Sequence, residues 1–217
     1  MFFTQLKYGF SLFLRPYVEH CVRRGYHPDT FTIAGFAFNV IAGVLYAFGL
    51  FFEGGLVMIY GSATDVIDGQ IARRTNRSTA GGSLLDSSLD RYSETAVLLG
   101  IAIHYALIGW HVTVAVTILA LAGSLMVSYV RARAEGLGYE CRVGIMQRAE
   151  RLVFLAACST FGALFGMADA NVGAAMWVMA FLTNLTAVER IIHVRERARQ
   201  HEATPPVLER AEPEDTE

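Results

Sequence analysis

Charge is scarce in this chain. Only 18% of its 217 residues are Asp, Glu, Lys or Arg, whereas a soluble domain carries about a quarter. With 53% hydrophobic residues gathered into long runs, this shortage excludes an ordinary water-soluble globule and points to a membrane-embedded one. Lysine is nearly missing: of the 18 basic side chains, only Lys7 is lysine and the rest are arginine. Cysteine is limited to Cys21, Cys141 and Cys158. That odd set has no metal-ligand spacing, and no disulfide framework is expected. The six histidines form no H-x-x-H or H-E-x-x-H pattern, so they read as interfacial or solvated. No nucleic-acid partner is expected at a net charge of −2.

What is present is an all-α integral membrane pattern. Residues 2–24 read as an interfacial amphipathic helix, with Phe3, Leu6, Phe10, Phe13 and Tyr17 at helical spacing. Pro28 breaks the chain, and Asp29 is the expected cap of the next helix. Six transmembrane helices follow, at about 30–52, 56–73, 83–104, 112–130, 152–167 and 172–192. Glu53, Gly54 and Gly55 are read as the first tight turn, and Gly81 and Gly82 as a tight re-entry. One membrane domain thus covers 1–195, and 196–217 forms a charged tail expected to be disordered. The turns at 53–55, 105–111 and 168–171 lack lysine and arginine. Every basic group falls at the opposite face, which the positive-inside rule makes cytoplasmic, along with both termini.

Within this apolar background stand Asp65, Asp68, Asp86 and Asp90. A bare carboxylate in hydrocarbon costs several kcal/mol and is rarely accidental. Asp65 and Asp68 are three apart, and Asp86 and Asp90 four apart, so each pair shares a helix face. A short loop joins the two helices, which are expected to pack as antiparallel neighbours with these faces meeting. Four converging acids need positive charge between them. One or two divalent cations with a preference for oxygen, such as magnesium or manganese, answer that need. Gly69 and Ala72 keep the adjoining face small. A cation route through a transporter is the competing reading, because intramembrane acids also mark ion pathways.

The residues Asp65-x-x-Asp68-Gly69-x-x-Ala72-Arg73, eight residues, then Gly82-x-x-x-Asp86-x-x-x-Asp90 resemble the signature of the CDP-alcohol phosphotransferases. Every fixed position matches, and the six-span pattern and the Pro28–Thr32 segment look like that family as well. The resemblance implies transfer of a phosphatidyl group from CDP-diacylglycerol to an alcohol, with release of CMP. It implies that Asp65, Asp68, Asp86 and Asp90 hold two Mg2+ or Mn2+ ions and that Asp90 is the general base. It also implies that Thr32, Asp65, Gly69, Ala72 and Arg73 line the cytidine diphosphate site. A homodimer in the cell inner membrane, with its active site on the cytoplasmic face, is implied too.

The acceptor is read from the arginines. The segment from Ser128 to Glu135 and the segment from Gln147 to Arg151 are similar to stretches of the bacterial phosphatidylinositol-phosphate synthases. Arg190 falls where that subfamily has a phosphate-binding arginine, while Arg131 stands in place of its usual lysine. Ser128, Arg131, Arg148 and Arg190 are thus expected to bind the phosphate of a phosphorylated alcohol, inositol phosphate first and glycerol 3-phosphate as the alternative. Anchoring at the membrane surface is the other reading of these arginines. Arg133 and Arg151 are expected to pair with Glu135 and Glu150.

Overall fold

The structure is a computed structural model that describes residues 14–77, 79–141 and 143–203, with side chains through His201. All regular structure among the described residues is helical: α1 within 14–23, α2 Pro28–Ala47, α3 Phe51–Arg74, α4 Ala80–Leu107, α5 His111–Gly136, α6 Arg148–Leu164 and α7 Ala168–Ala203. The expected stripe of Phe3, Leu6, Phe10 and Phe13 lies outside the described residues. Tyr17, its remaining member, is exposed. The buried stripe of α1 is instead Val18 and Cys21 with Leu14, packed on Ile67 and Ile71 of α3.

Three helices are long and apolar enough to cross a bilayer by length and composition: Pro28–Ala47, His111–Gly136 and Ala168–His201. The other three were expected to qualify as well. Acids and arginines dilute α3 and α4, and α6 has only 17 residues.

Packed helix pairs trace a closed ring in the order α2, α3, α6, α7, α5, α4. Among the described residues α3 and α4 therefore share no extended face, contrary to the expected neighbour packing. They look at each other across the ring, with α2 packed against both. The reason lies in the glycines of α2. A Cβ on Gly100 of α4 would lie 1.9 Å from the Gly43 carbonyl oxygen, and one on Gly35 would lie 2.4 Å from Thr64 Oγ1 of α3. Both crossings are backbone-close, as small residues allow in membrane bundles. Gly100→Ala must push α2 and α4 apart, at a cost of about 1–3 kcal/mol for overpacking. A lower melting temperature of the purified protein in detergent is the expected result; an unchanged one would contradict the crossing.

Several boundaries move. The first turn is Phe48–Leu50, with Gly49 at φ +76° and Leu50 N–H donating to Leu45 O, a Schellman-type stop. Glu53, Gly54 and Gly55 lie inside α3, where Gly54 meets the Tyr46 ring and Gly55 meets Ser159 and Thr160. Those glycines serve packing, not turning. Likewise Gly81 and Gly82 are helical, and the left-handed residue of that loop is Asn76. His27, not Asp29, caps α2, with Pro28 at the first helical position. Past 195 the chain continues as helix to Ala203, because Glu196, Arg197, Ala198, Arg199 and Gln200 all favour helix.

Candidate active site

An apolar core from all six ring helices fills the interior, including Tyr46, Met58, Leu98, Ile101, Leu155 and Met176. The polar residues collect at the end holding the C-termini of α3, α5 and α7 and the N-termini of α4 and α6. There Asp65 and Asp68 of α3 face Asp86 and Asp90 of α4. Arg148, the first residue of α6, reaches between them. Its Nη1 donates to Asp65 Oδ2 at 3.0 Å, and its Nη2 lies 2.8 Å from Asp90 Oδ1. Asp90 interacts electrostatically with Asp65, Asp68 and Asp86, so the four acids form one cluster. Asp68 is buried, and Thr32 Oγ1 of α2 donates to its Oδ2 at 2.7 Å. Thr32, expected at the nucleotide, thus orients a carboxylate.

The cluster suits a hard divalent cation. Its donors are all carboxylate oxygens, and a cationic guanidinium already stands between Asp65 and Asp90. Among the described residues no three His, Cys, Asp or Glu side chains are drawn together at ligand distance. Next to the cluster, the Arg73 guanidinium folds back toward Gly69, where a Cβ would meet Nη1 at 3.5 Å. Ala72 is half-buried on the following turn.

The arginines divide. Arg148 belongs to the carboxylates, and its buried Nε has no partner among the described residues, which leaves a donor for an incoming oxygen. Arg190 is 3% exposed; its Nε and Nη1 donate to the Val143 and Val127 carbonyls at 2.9 and 2.7 Å. It braces the α5–α6 loop, and it lies within electrostatic reach of Arg131 and Arg151. Arg131 is exposed and pairs with Glu135 at 2.9 Å, a partner expected for Arg133. Ser128 is half-buried on α5.

Glu150 caps its own helix by accepting from Gln147 N–H at 2.9 Å. Arg151, expected on Glu150, instead grips Glu94 of α4. Its Nε donates to Oε1 at 2.6 Å and its Nη2 to Oε2 at 2.8 Å. Sequence reading missed this pair. The available signal was Glu94 itself, one turn beyond Asp90 and just ahead of the apolar run that starts at Ala96. Cys21, Cys141 and Cys158 are free thiols.

Comparison with known proteins identifies the family. The family model for CDP-alcohol phosphatidyltransferase matches residues 26–188. A phosphatidylinositol phosphate synthase of Streptomyces avermitilis is 38% identical over 89% of this chain and 82% of its own length. An archaetidylinositol phosphate synthase of Methanothermobacter thermautotrophicus is 41% identical over 78% of this chain and 83% of its own. The crystal structure of the Mycobacterium tuberculosis phosphatidylinositol phosphate synthase with CDP-DAG bound superimposes with a TM-score of 0.77 at 29% identity, covering 82% of this chain and 92% of that one. The same enzyme in complex with manganese and citrate gives 0.75, covering 83% and 88%. The signature at 65–90, the ring that gathers it and these matches agree: the chain belongs to the CDP-alcohol phosphatidyltransferase family.

Proposed function

We propose that the chain transfers the phosphatidyl group of CDP-diacylglycerol to a phosphorylated alcohol of the inositol phosphate class, releasing CMP. The observation that carries this is the cluster of four carboxylates with Arg148 seated on Asp65 and Asp90, its buried Nε left without a partner among the described residues. The relatives' names and the CDP-DAG-bound neighbour support the donor and the acceptor class. The manganese complex of that neighbour supports a divalent ion.

Asp65, Asp68, Asp86 and Asp90 are the residues that would hold two such ions, Mg2+ or Mn2+. Bound there, the metal supplies positive charge against the diphosphate and the departing CMP. Thr32 holds Asp68 in one rotamer. Gly69, Ala72 and Arg73 offer the diphosphate a small, cationic wall, beside Thr32 and Asp65. Asp90 takes the proton of the acceptor hydroxyl. Arg148, with Nη1 on Asp65 and Nη2 on Asp90, has its Nε left to donate to a phosphate oxygen. Ser128, Arg131 and Arg190 complete the acceptor wall, with Arg190 acting chiefly by bracing its loop.

We take all six helices α2–α7 as spans of one membrane domain over 1–195. The described arginines cluster at the site end. The opposite turns Phe48–Leu50, Ile108–Trp110 and Phe165–Met167 hold no lysine or arginine. That bias supports a site facing the cytoplasm from the inner membrane, with both termini on that side. Apolar side chains exposed along the ring, such as Ile41, Ile118 and Phe181, suit lipid or a second copy in a homodimer. Family membership favours an enzyme over a cation route.

CMP release from CDP-diacylglycerol, measured against inositol phosphate, glycerol 3-phosphate, inositol and serine, tests the proposal. Inositol phosphate is expected to support the fastest release. Chelation of divalent ions is expected to stop it, and added Mn2+ or Mg2+ to restore it. No release with any acceptor in either metal would refute the activity. Arg148→Ala is expected to raise the acceptor KM about tenfold or more while changing the donor KM little, as loss of a charged phosphate contact does. An equal rise in both would remove Arg148 from the acceptor site.

A further inference from the structure

Glu94 stands one helical turn beyond Asp90 on α4, and Arg151 one turn beyond Arg148 on α6. The two rows face each other. Arg148 meets Asp90 in the half-buried outer layer, and Arg151 meets Glu94 by both arms in a sealed inner one. Arg151 is 1% exposed and Glu94 4%. Arg151 has a third commitment: its Nη1 donates to the Met146 carbonyl at 2.7 Å. Met146 has φ +65°, a left-handed conformation that a bulky L residue adopts only when its surroundings impose it. That residue and Gln147 lead the chain into α6, whose first residue is Arg148.

The first turn of a helix lacks the preceding carbonyls that hold later turns. In α6 the capping box of Gln147 and Glu150 holds that turn from within the helix, so its placement against α3 and α4, and with it the reach of Arg148, has to be set by contacts from outside. A buried ion pair stabilises a fold poorly compared with apolar packing of similar volume. What the fork of an arginine adds is direction, because both of its bonds form in only one mutual placement of the two helices.

We propose that Glu94 and Arg151 are positioning residues. Their two-armed clamp, with the bond to Met146, holds the first turn of α6 so that Arg148 reaches Asp65 and Asp90. The kinetic consequence rests on the acceptor reading of Arg148 given above.

The test uses the full-length protein with Arg151→Lys, which keeps the charge opposite Glu94 but loses the fork. Amide hydrogen exchange should quicken at residues 146–151 and stay unchanged in the core of α2 and α4. The acceptor KM should rise about fivefold or more, with the donor KM within about twofold, the pattern of lost acceptor binding. Placed on Arg148→Ala, Arg151→Lys should add little, because a residue acting through another is non-additive with it. Multiplicative effects in the double variant, or a fall in kcat with both KM values unchanged, would overturn the clamp. So would unaltered exchange at 146–151. Should Arg148→Ala by itself leave the acceptor KM unchanged, the acceptor reading fails, and the exchange measurement alone then decides the clamp.

Discussion

Asp90→Asn lowers the rate of CMP release by about 10²–10⁴-fold, the range for loss of a positioned proton acceptor. The substitution is nearly isosteric, and the amide oxygen can still accept from Arg148, which lies 2.8 Å from Asp90 Oδ1. The geometry of the cluster should therefore survive while the member proposed to accept the proton is lost. The KM values should stay within about twofold of wild type, since the loss falls on the transition state. Manganese binding, followed by electron paramagnetic resonance, should weaken and yet persist, because Asp65, Asp68 and Asp86 remain. Turnover like that of wild type would show that another group takes the proton.

The largest stability effect is expected from Glu94→Leu. It strands the Arg151 guanidinium in the interior with, among the described residues, the Met146 carbonyl as its one remaining hydrogen-bond partner. Removing one member of a buried pair costs about 3–5 kcal/mol, and the melting temperature in detergent should fall sharply. Glu94→Leu combined with Arg151→Met removes both charges at similar volume and should recover most of that loss. The double variant separates fold from function. It should melt close to wild type and still bind the acceptor poorly, because nothing then aims Arg148. A single variant as stable as wild type would mean that the guanidinium finds water or another partner.

Much of the site was legible before any coordinates. The acids announced themselves by cost: four carboxylates at spacings of three and four residues in apolar helices have few explanations. Thr32 and Arg148 were legible only through family resemblance, and their local roles were not. Thr32 is 36 residues from Asp68, and Arg148 is 83 from Asp65. No periodicity reports contacts of that range. Turns were misplaced where glycines stood in pairs. Gly54 and Gly55 looked like a chain reversal, but in a membrane bundle glycine also marks where helices touch; Gly81 and Gly82, read the same way, lie within the first turn of α4, and among the described residues nothing packs on Gly81. The reversal itself needed a single left-handed residue, Gly49, that composition does not single out.

The sequence by itself determined the chemistry available: hard oxygen ligands on two helices, arginines gathered at one face, and an apolar exterior, all properties of residue type and spacing. Only the tertiary structure decided who meets whom. The backbone-close crossings of α2 with both α3 and α4 hold those helices across a ring instead of side by side. That leaves between the acid pairs a space into which α6 inserts Arg148, with Glu94 and Arg151 locked one turn below. Such partnerships follow from the packing of all six helices together, and packing is not a local property of any one of them.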